Sequence, residues 1–104
     1  MKIIWTKYAL ADADKAYEYA FEVFGQSQLK RLDSRVAYAE NRISKFPTAC
    51  PLEHLLLDKQ RQYRYVSLFK NLELIFHQEE DDIILIDAVW DSRQNPQRLR
   101  KRLD

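Results

Sequence analysis

The stretch Tyr63-Arg64-Tyr65-Val66-Ser67-Leu68-Phe69-Lys70-Asn71-Leu72-Glu73-Leu74-Ile75-Phe76-His77 decides the fold. Upstream of it the apolar residues recur every three or four positions, and here they begin to alternate. A period of two places successive side chains on opposite faces of a strand. Tyr63–Phe69 therefore reads as a strand and Leu72–His77 as its partner, with Leu72, Leu74 and Phe76 on one face. Lys70-Asn71 is a two-residue turn, since asparagine tolerates the positive φ that tight hairpins require. Downstream, the acidic run Glu79–Asp82 reads as a second turn. Ile83–Trp90 is almost wholly apolar, the pattern of a central strand buried on both faces.

Working back toward the N-terminus, two amphipathic helices precede this sheet. Lys2–Trp5 is a short β-branched and aromatic strand, and Thr6 is placed to cap the first helix. Leu10, Ala13, Tyr17, Phe21 and Phe24 are expected to form that helix's buried stripe. Gly25, the only glycine, falls where the helix must end and is expected in the left-handed C′ conformation. A second helix capped by Ser27 follows, with Leu29, Leu32, Val36, Ala39, Ile43 and Phe46 facing the core until Pro47 stops it. Two long helices with so short a link fold back as an antiparallel hairpin. Leu55-Leu56-Leu57 reads as a short strand or a buried turn. Asn95-Pro96 opens a last short helix carrying Arg98, Arg100, Lys101 and Arg102.

The order is β-α-α-β-β-β-α, an α+β class in which an N-terminal helical hairpin packs on a small, antiparallel-dominated twisted sheet. One domain over residues 1–104 is expected from the length. No apolar run approaches the roughly 20 residues that span a bilayer, so no membrane association is expected. With a formal charge of +1, no overall field draws the chain to nucleic acid; any such attraction must come from how charge is distributed. Cys50 stands alone, which rules out an internal disulfide or a cysteine-based metal site, and a single glycine rules out a phosphate-cradling loop. The acidic turn lacks convergent spacing for a cation. No cofactor and no metal are therefore expected, and the simplest setting is a bacterial-type cytoplasm.

Several pieces, taken in order, resemble the RelE/ParE superfamily of toxins from type II toxin–antitoxin systems. These are the strand ending in Trp5-Thr6, the helix with Ala9 and Ala11, the long helix ending at Phe46-Pro47, and Leu55 followed by Tyr63-Arg64. The last piece is Asp82–Ile86 running into Val89-Trp90-Asp91-Ser92-Arg93-Gln94-Asn95-Pro96. The resemblance implies a small cytosolic toxin neutralised by a cognate antitoxin. It also implies one of two targets: mRNA in the ribosome, cut without metal, or DNA gyrase, inhibited without hydrolysis. A non-toxic or decayed interaction module of the same fold is the alternative.

Metal-free RNA cleavage needs a base for the 2′-hydroxyl, a cation for the phosphate and an acid for the leaving oxygen. By the resemblance, the family's catalytic arginine on the third strand falls at Glu73, and Asp91 stands where many members have histidine. The set that remains is Glu73 as base, Arg64 or Arg93 as phosphate clamp and His77 as acid. Glu73 and His77 are four apart on one strand and so share a face. Their alternative reading is a pair of solvated sheet-face residues. Arg93 either binds an anion bidentately or pairs with Asp91 or Asp87. Trp90 either stacks on a base or belongs to the core. Lys70, Arg98, Arg100, Lys101 and Arg102 are candidate contacts to nucleic acid or a partner, although a basic last turn is also what a helix dipole favours. The open side of the sheet is expected to hold Arg64 and Arg93 near each other.

Overall fold

A computed structural model describes residues 1–104. Its elements are β1 (Lys2–Trp5), α1 (Lys7–Phe24), α2 (Gln26–Lys45), β2 (Arg64–Phe69), β3 (Leu72–Glu80), β4 (Ile83–Asp91) and α3 (Pro96–Arg102). Short 3-10 turns lie at Pro47–Ala49 and His54–Leu56. The four strands form one sheet in the order β1-β4-β3-β2; β1 runs parallel to β4 and the other pairs are antiparallel. The near-continuous apolar run of β4 lies inside the sheet, as its composition requires. β3 extends to Glu80, so the second hairpin turn is only Asp81-Asp82 rather than the whole acidic run.

The helical hairpin packs on one face. The buried side of α1 is not the stripe of large residues read from spacing. Ala9 and Ala20 are buried, and Ala13, Ala16 and Tyr17 pack beside them, while Leu10, Phe21 and Phe24 are more than half exposed. Small side chains let the helix axis approach β4 closely, and the large ones are turned outward. Along α2 the expected residues Leu32, Val36, Ala39 and Ile43 are buried, but Phe46 points outward past the helix end. Thr6 caps α1 by accepting from the Ala9 amide at 3.2 Å. Gly25, not Ser27, both ends α1 and begins α2. Its φ of 85° is positive as expected, but its ψ of −168° lies outside the left-handed helical well. A one-residue link must reverse the chain between two helices, and only glycine tolerates that combination.

The other face of the sheet is not open. β3 and β4 are apolar on both sides, so Ile75, Ala88 and Trp90 need a cover. They receive it from Leu56 of the second 3-10 turn, from Tyr63 and from Leu99 of α3, which together form a second core. Asn95 caps α3, accepting from the Gln97 amide at 3.0 Å.

Candidate functional site

Two register shifts shape the second face. Ile75 pairs with Ala88 but Phe76 pairs with Ile86, so Asp87 is an extra residue on β4. Gln78 pairs with Ile84 but Glu80 pairs with Ile83, so Glu79 is an extra residue on β3. Such bulges re-aim side chains, and both aim a carboxylate at His77. The imidazole Nδ1 lies 2.6 Å from Asp87 Oδ2 and Nε2 lies 2.6 Å from Glu79 Oε2. Each ring nitrogen faces a carboxyl oxygen, a geometry that favours a proton on both nitrogens. Burial pulls the His77 pKa down, but hydrogen bonds and charge from Asp87 and Glu79 outweigh it and the net shift is upward. The Tyr63 ring meets the imidazole edge-on at 5.4 Å between centroids, and its hydroxyl donates to Asp104 at 3.2 Å. Arg61 pairs with Asp104 and approaches Glu79 at 3.8 Å. His77 is thus enclosed in a network of fixed charges.

Glu73 shares His77's face but has a different neighbour. Burial, then a hydrogen bond and charge repulsion from Glu53, push its pKa up to about 8. Glu53 is 1 % exposed and its Oε2 has no other partner. A buried carboxylate oxygen without a donor is costly, and the hydrogen bond to Glu53 favours the protonated form of Glu73.

The two arginines expected side by side are far apart. Alternation puts Arg64 on the helix-packed face with Val66 and Leu68, where it donates to the carbonyls of Cys50 at 2.7 Å and Thr48 at 3.4 Å. Arg93 follows the other end of the sheet, clamped on Asp91 by Nε at 3.0 Å and Nη2 at 2.7 Å. Arg64 lies opposite Phe76 and Asp91 lies opposite Leu72. Four residues of strand, about 13 Å, therefore separate the two ends. Arg64 and His77 both line a cleft of about 270 Å³ at one edge of the sheet, whereas Arg93 borders the groove beside α1.

Trp90 is 3 % exposed beneath Leu56 and Leu99, and it offers no ring face to a base. Arg100 is held by Asp58 at 2.7 and 2.8 Å and by the Leu55 carbonyl. Arg102 reaches Asp12 at 3.0 Å and the Asp87 carbonyl, and it stacks over Tyr8. Half of the expected basic patch on α3 is thus spent fastening that helix to the body; Arg98 and Lys101 form no ion pair. Lys70 sits in the β2–β3 turn beside a groove lined by Ala16, Tyr19, Ala20, Phe24, Phe69 and Leu72. Sequence reasoning did not reach Glu53, Arg61, Tyr63 or Asp104 as parts of these networks. Their partners are distant in the chain, and no spacing rule joins them.

These observations define a class: a helical hairpin on one face of a small mixed sheet, with a C-terminal helix closing the other. The family described as ParE toxin of type II toxin–antitoxin system, parDE, matches residues 3–96. The chain belongs to that family and is the toxin member of such a pair, with a cognate antitoxin as its counterpart. Among solved structures, the chromosomal ParDE TA system from P. aeruginosa is similar, with a TM-score of 0.68 at 15 % identity over 88 % of this chain and 95 % of that one. At that identity the likeness is one of fold. No curated protein matches the sequence. No helix is long and apolar enough to cross a membrane.

Proposed function

We propose that this toxin acts by binding, with DNA gyrase as its target, and does not cleave RNA. The carrying observation is that each of the four residues the cleavage chemistry would need is engaged within the protein, with Arg93 apart from the other three. Arg64 is spent on loop carbonyls and Arg93 on Asp91. Both ring nitrogens of His77 are taken up by Asp87 and Glu79, which leaves neither directed at a leaving oxygen. Glu73 holds a proton against Glu53 near neutral pH, so it is a poor base. A cleaving site needs these groups around one phosphate. Gyrase is a cytosolic enzyme, so the reading places the toxin in the cytoplasm.

The groove beside α1 suits the antitoxin. It holds about 380 Å³ between α1 and the β2–β3 turn. Tyr19 and Phe24, both more than half exposed, flank it and meet edge-on at 6.3 Å. An amphipathic segment laid along it would bury these rings.

The test is a supercoiling assay with purified toxin, gyrase and relaxed plasmid, alongside mapping of RNA ends in ribosome-bound samples after induction. Supercoiling should stop at low micromolar toxin while mRNA stays intact. Unimpaired supercoiling together with new RNA ends in the ribosomal A site would refute the proposal.

A further inference from the structure

The cations of α2 are gathered on one element and none of them is paired. Arg61, Arg93, Arg100 and Arg102 each pair with a carboxylate. α2 carries Lys30, Arg31, Arg35, Arg42 and Lys45, and none of them has a carboxylate within 4.0 Å. The helix has two acids, and both are engaged on the flank that faces α1 and β1, off the outer row. Asp33 accepts from the Tyr17 hydroxyl and Glu40 from the Trp5 indole, each at 3.1 Å. With Leu32, Val36, Ala39 and Ile43 buried, helical spacing sets Arg31, Ser34, Tyr38, Asn41 and Lys45 in a line along the outer face, with Arg35 and Arg42 beside it. Over that line α2 rises about 21 Å.

Two of these charges are held in place. The guanidinium carbons of Arg31 and Arg35 lie 5.7 and 5.1 Å from the centroid of one ring, Phe69, and Arg35 also donates to the Leu68 carbonyl. Like charges are gathered around one aromatic ring with no carboxylate paired to either. Their mutual repulsion would be relieved by a polyanion.

We propose that the outer face of α2 binds the backbone of duplex DNA. The face carries Arg31 and Lys45 at its ends and Arg35 and Arg42 along one side, with Ser34, Tyr38 and Asn41 between them, side chains that hydrogen-bond phosphate and sugar oxygens. One exposed ring in five turns is too few for the stacking platforms that single strands use. The major groove of B-form DNA admits an α-helix, whereas that of A-form RNA is too narrow. This inference stands independently of gyrase as target.

Fluorescence polarisation with a labelled 24-base-pair DNA duplex, titrated with the purified chain between 25 and 200 mM salt, tests it. Micromolar binding is expected at low salt. About four phosphate contacts give a log–log salt slope near −3.6. Arg31→Gln with Lys45→Gln removes two exposed charges and should weaken binding at least tenfold at 50 mM salt and flatten the slope by about two contacts. Arg98→Gln with Lys101→Gln on α3 should change neither, and circular dichroism melts of both variants should match the parent. No binding at 50 µM protein in 25 mM salt would overturn the proposal. So would loss through the α3 pair instead, equal affinity for an RNA duplex, or polyglutamate competing as well as DNA at equal charge, which would mark a surface for an acidic protein.

Discussion

Glu73 and His77 lie two side chains apart on one face of β3, and each holds a proton for its own reason. For Glu73 the cause is burial beside Glu53, which pushes the pKa up to about 8. A hydrogen bond to Glu53 and repulsion from its charge add to that shift. Unfolding at pH 8 releases the Glu73 proton, so the pair costs stability there. A shift this large, discounted for the remaining solvent contact of Glu73, corresponds to about 2 kcal/mol. Glu73→Gln supplies a permanent N–H to Glu53, so thermal melts should show it stabilised by about that much at pH 8 and nearly unchanged at pH 5. Equal effects at both pH values would contradict the shared proton. That Glu73 and His77 share a face was readable from their spacing; that one faces a carboxyl and the other two carboxylates was not. Glu53 is twenty residues away in a loop, and Asp87 and Glu79 point at His77 only because each is a bulge residue. Alternation predicts faces, but a bulge breaks alternation locally.

At the scale of elements, the helices were legible from periodicity and their orientation was not. The stripe of large residues on α1 suggested that Leu10, Phe21 and Phe24 faced inward, yet the alanines do. Close packing of a helix over a central strand leaves little depth between the two backbones, and alanine fills it. The hairpin's sharpness depends on Gly25. A Cβ there would meet nothing within 4 Å, so replacing it has no packing cost. The cost is conformational, because φ 85°, ψ −168° is a region essentially closed to other residues. Gly25→Ala should therefore lower unfolding free energy by about 1–3 kcal/mol in urea titrations, with an unchanged m-value. An unaffected midpoint would mean that the link relaxes to another conformation. α3 was read only as a short helix of basic residues that could contact nucleic acid or a partner. Its Leu99 is fully buried and plugs the second core, because two-faced apolar strands leave a side that something must cover.

For the molecule as a whole, the titrating groups act together. The His77 pKa is raised in the folded state, so its contribution is complete below about 6.5 and is lost as pH rises through the folded value. Protonated Glu73 works in the same direction, with its penalty growing from about pH 4.5 to pH 8. At the acid end, Asp58, Asp91 and Asp104 have lowered pKa values, chiefly through hydrogen bonds from Arg100, Arg93 and Arg61. Their contributions hold above about pH 4 and are lost as pH falls through the folded values. The melting temperature should therefore peak near pH 5 and decline toward pH 8.5, as calorimetry across pH 3–9 would show. A maximum at or above neutrality would contradict the assignment of His77 as a charged, clamped group. The formal charge of +1 hides a further whole-molecule property: α2 holds five of the chain's 17 Lys and Arg but only two of its 16 Asp and Glu.

Element order, the hairpin of long helices, the buried central strand and the family follow from the sequence alone, because periodicity, capping residues and turn residues act within a few positions of one another. Which cations remain unpaired, which carboxyls keep a proton and which face of the sheet is covered were decided only by the tertiary structure. Those outcomes depend on contacts between residues tens of positions apart, such as Arg100 with Asp58 and Arg102 with Asp12. Charge on a side chain is written in the sequence, but its availability is set by what folding places beside it.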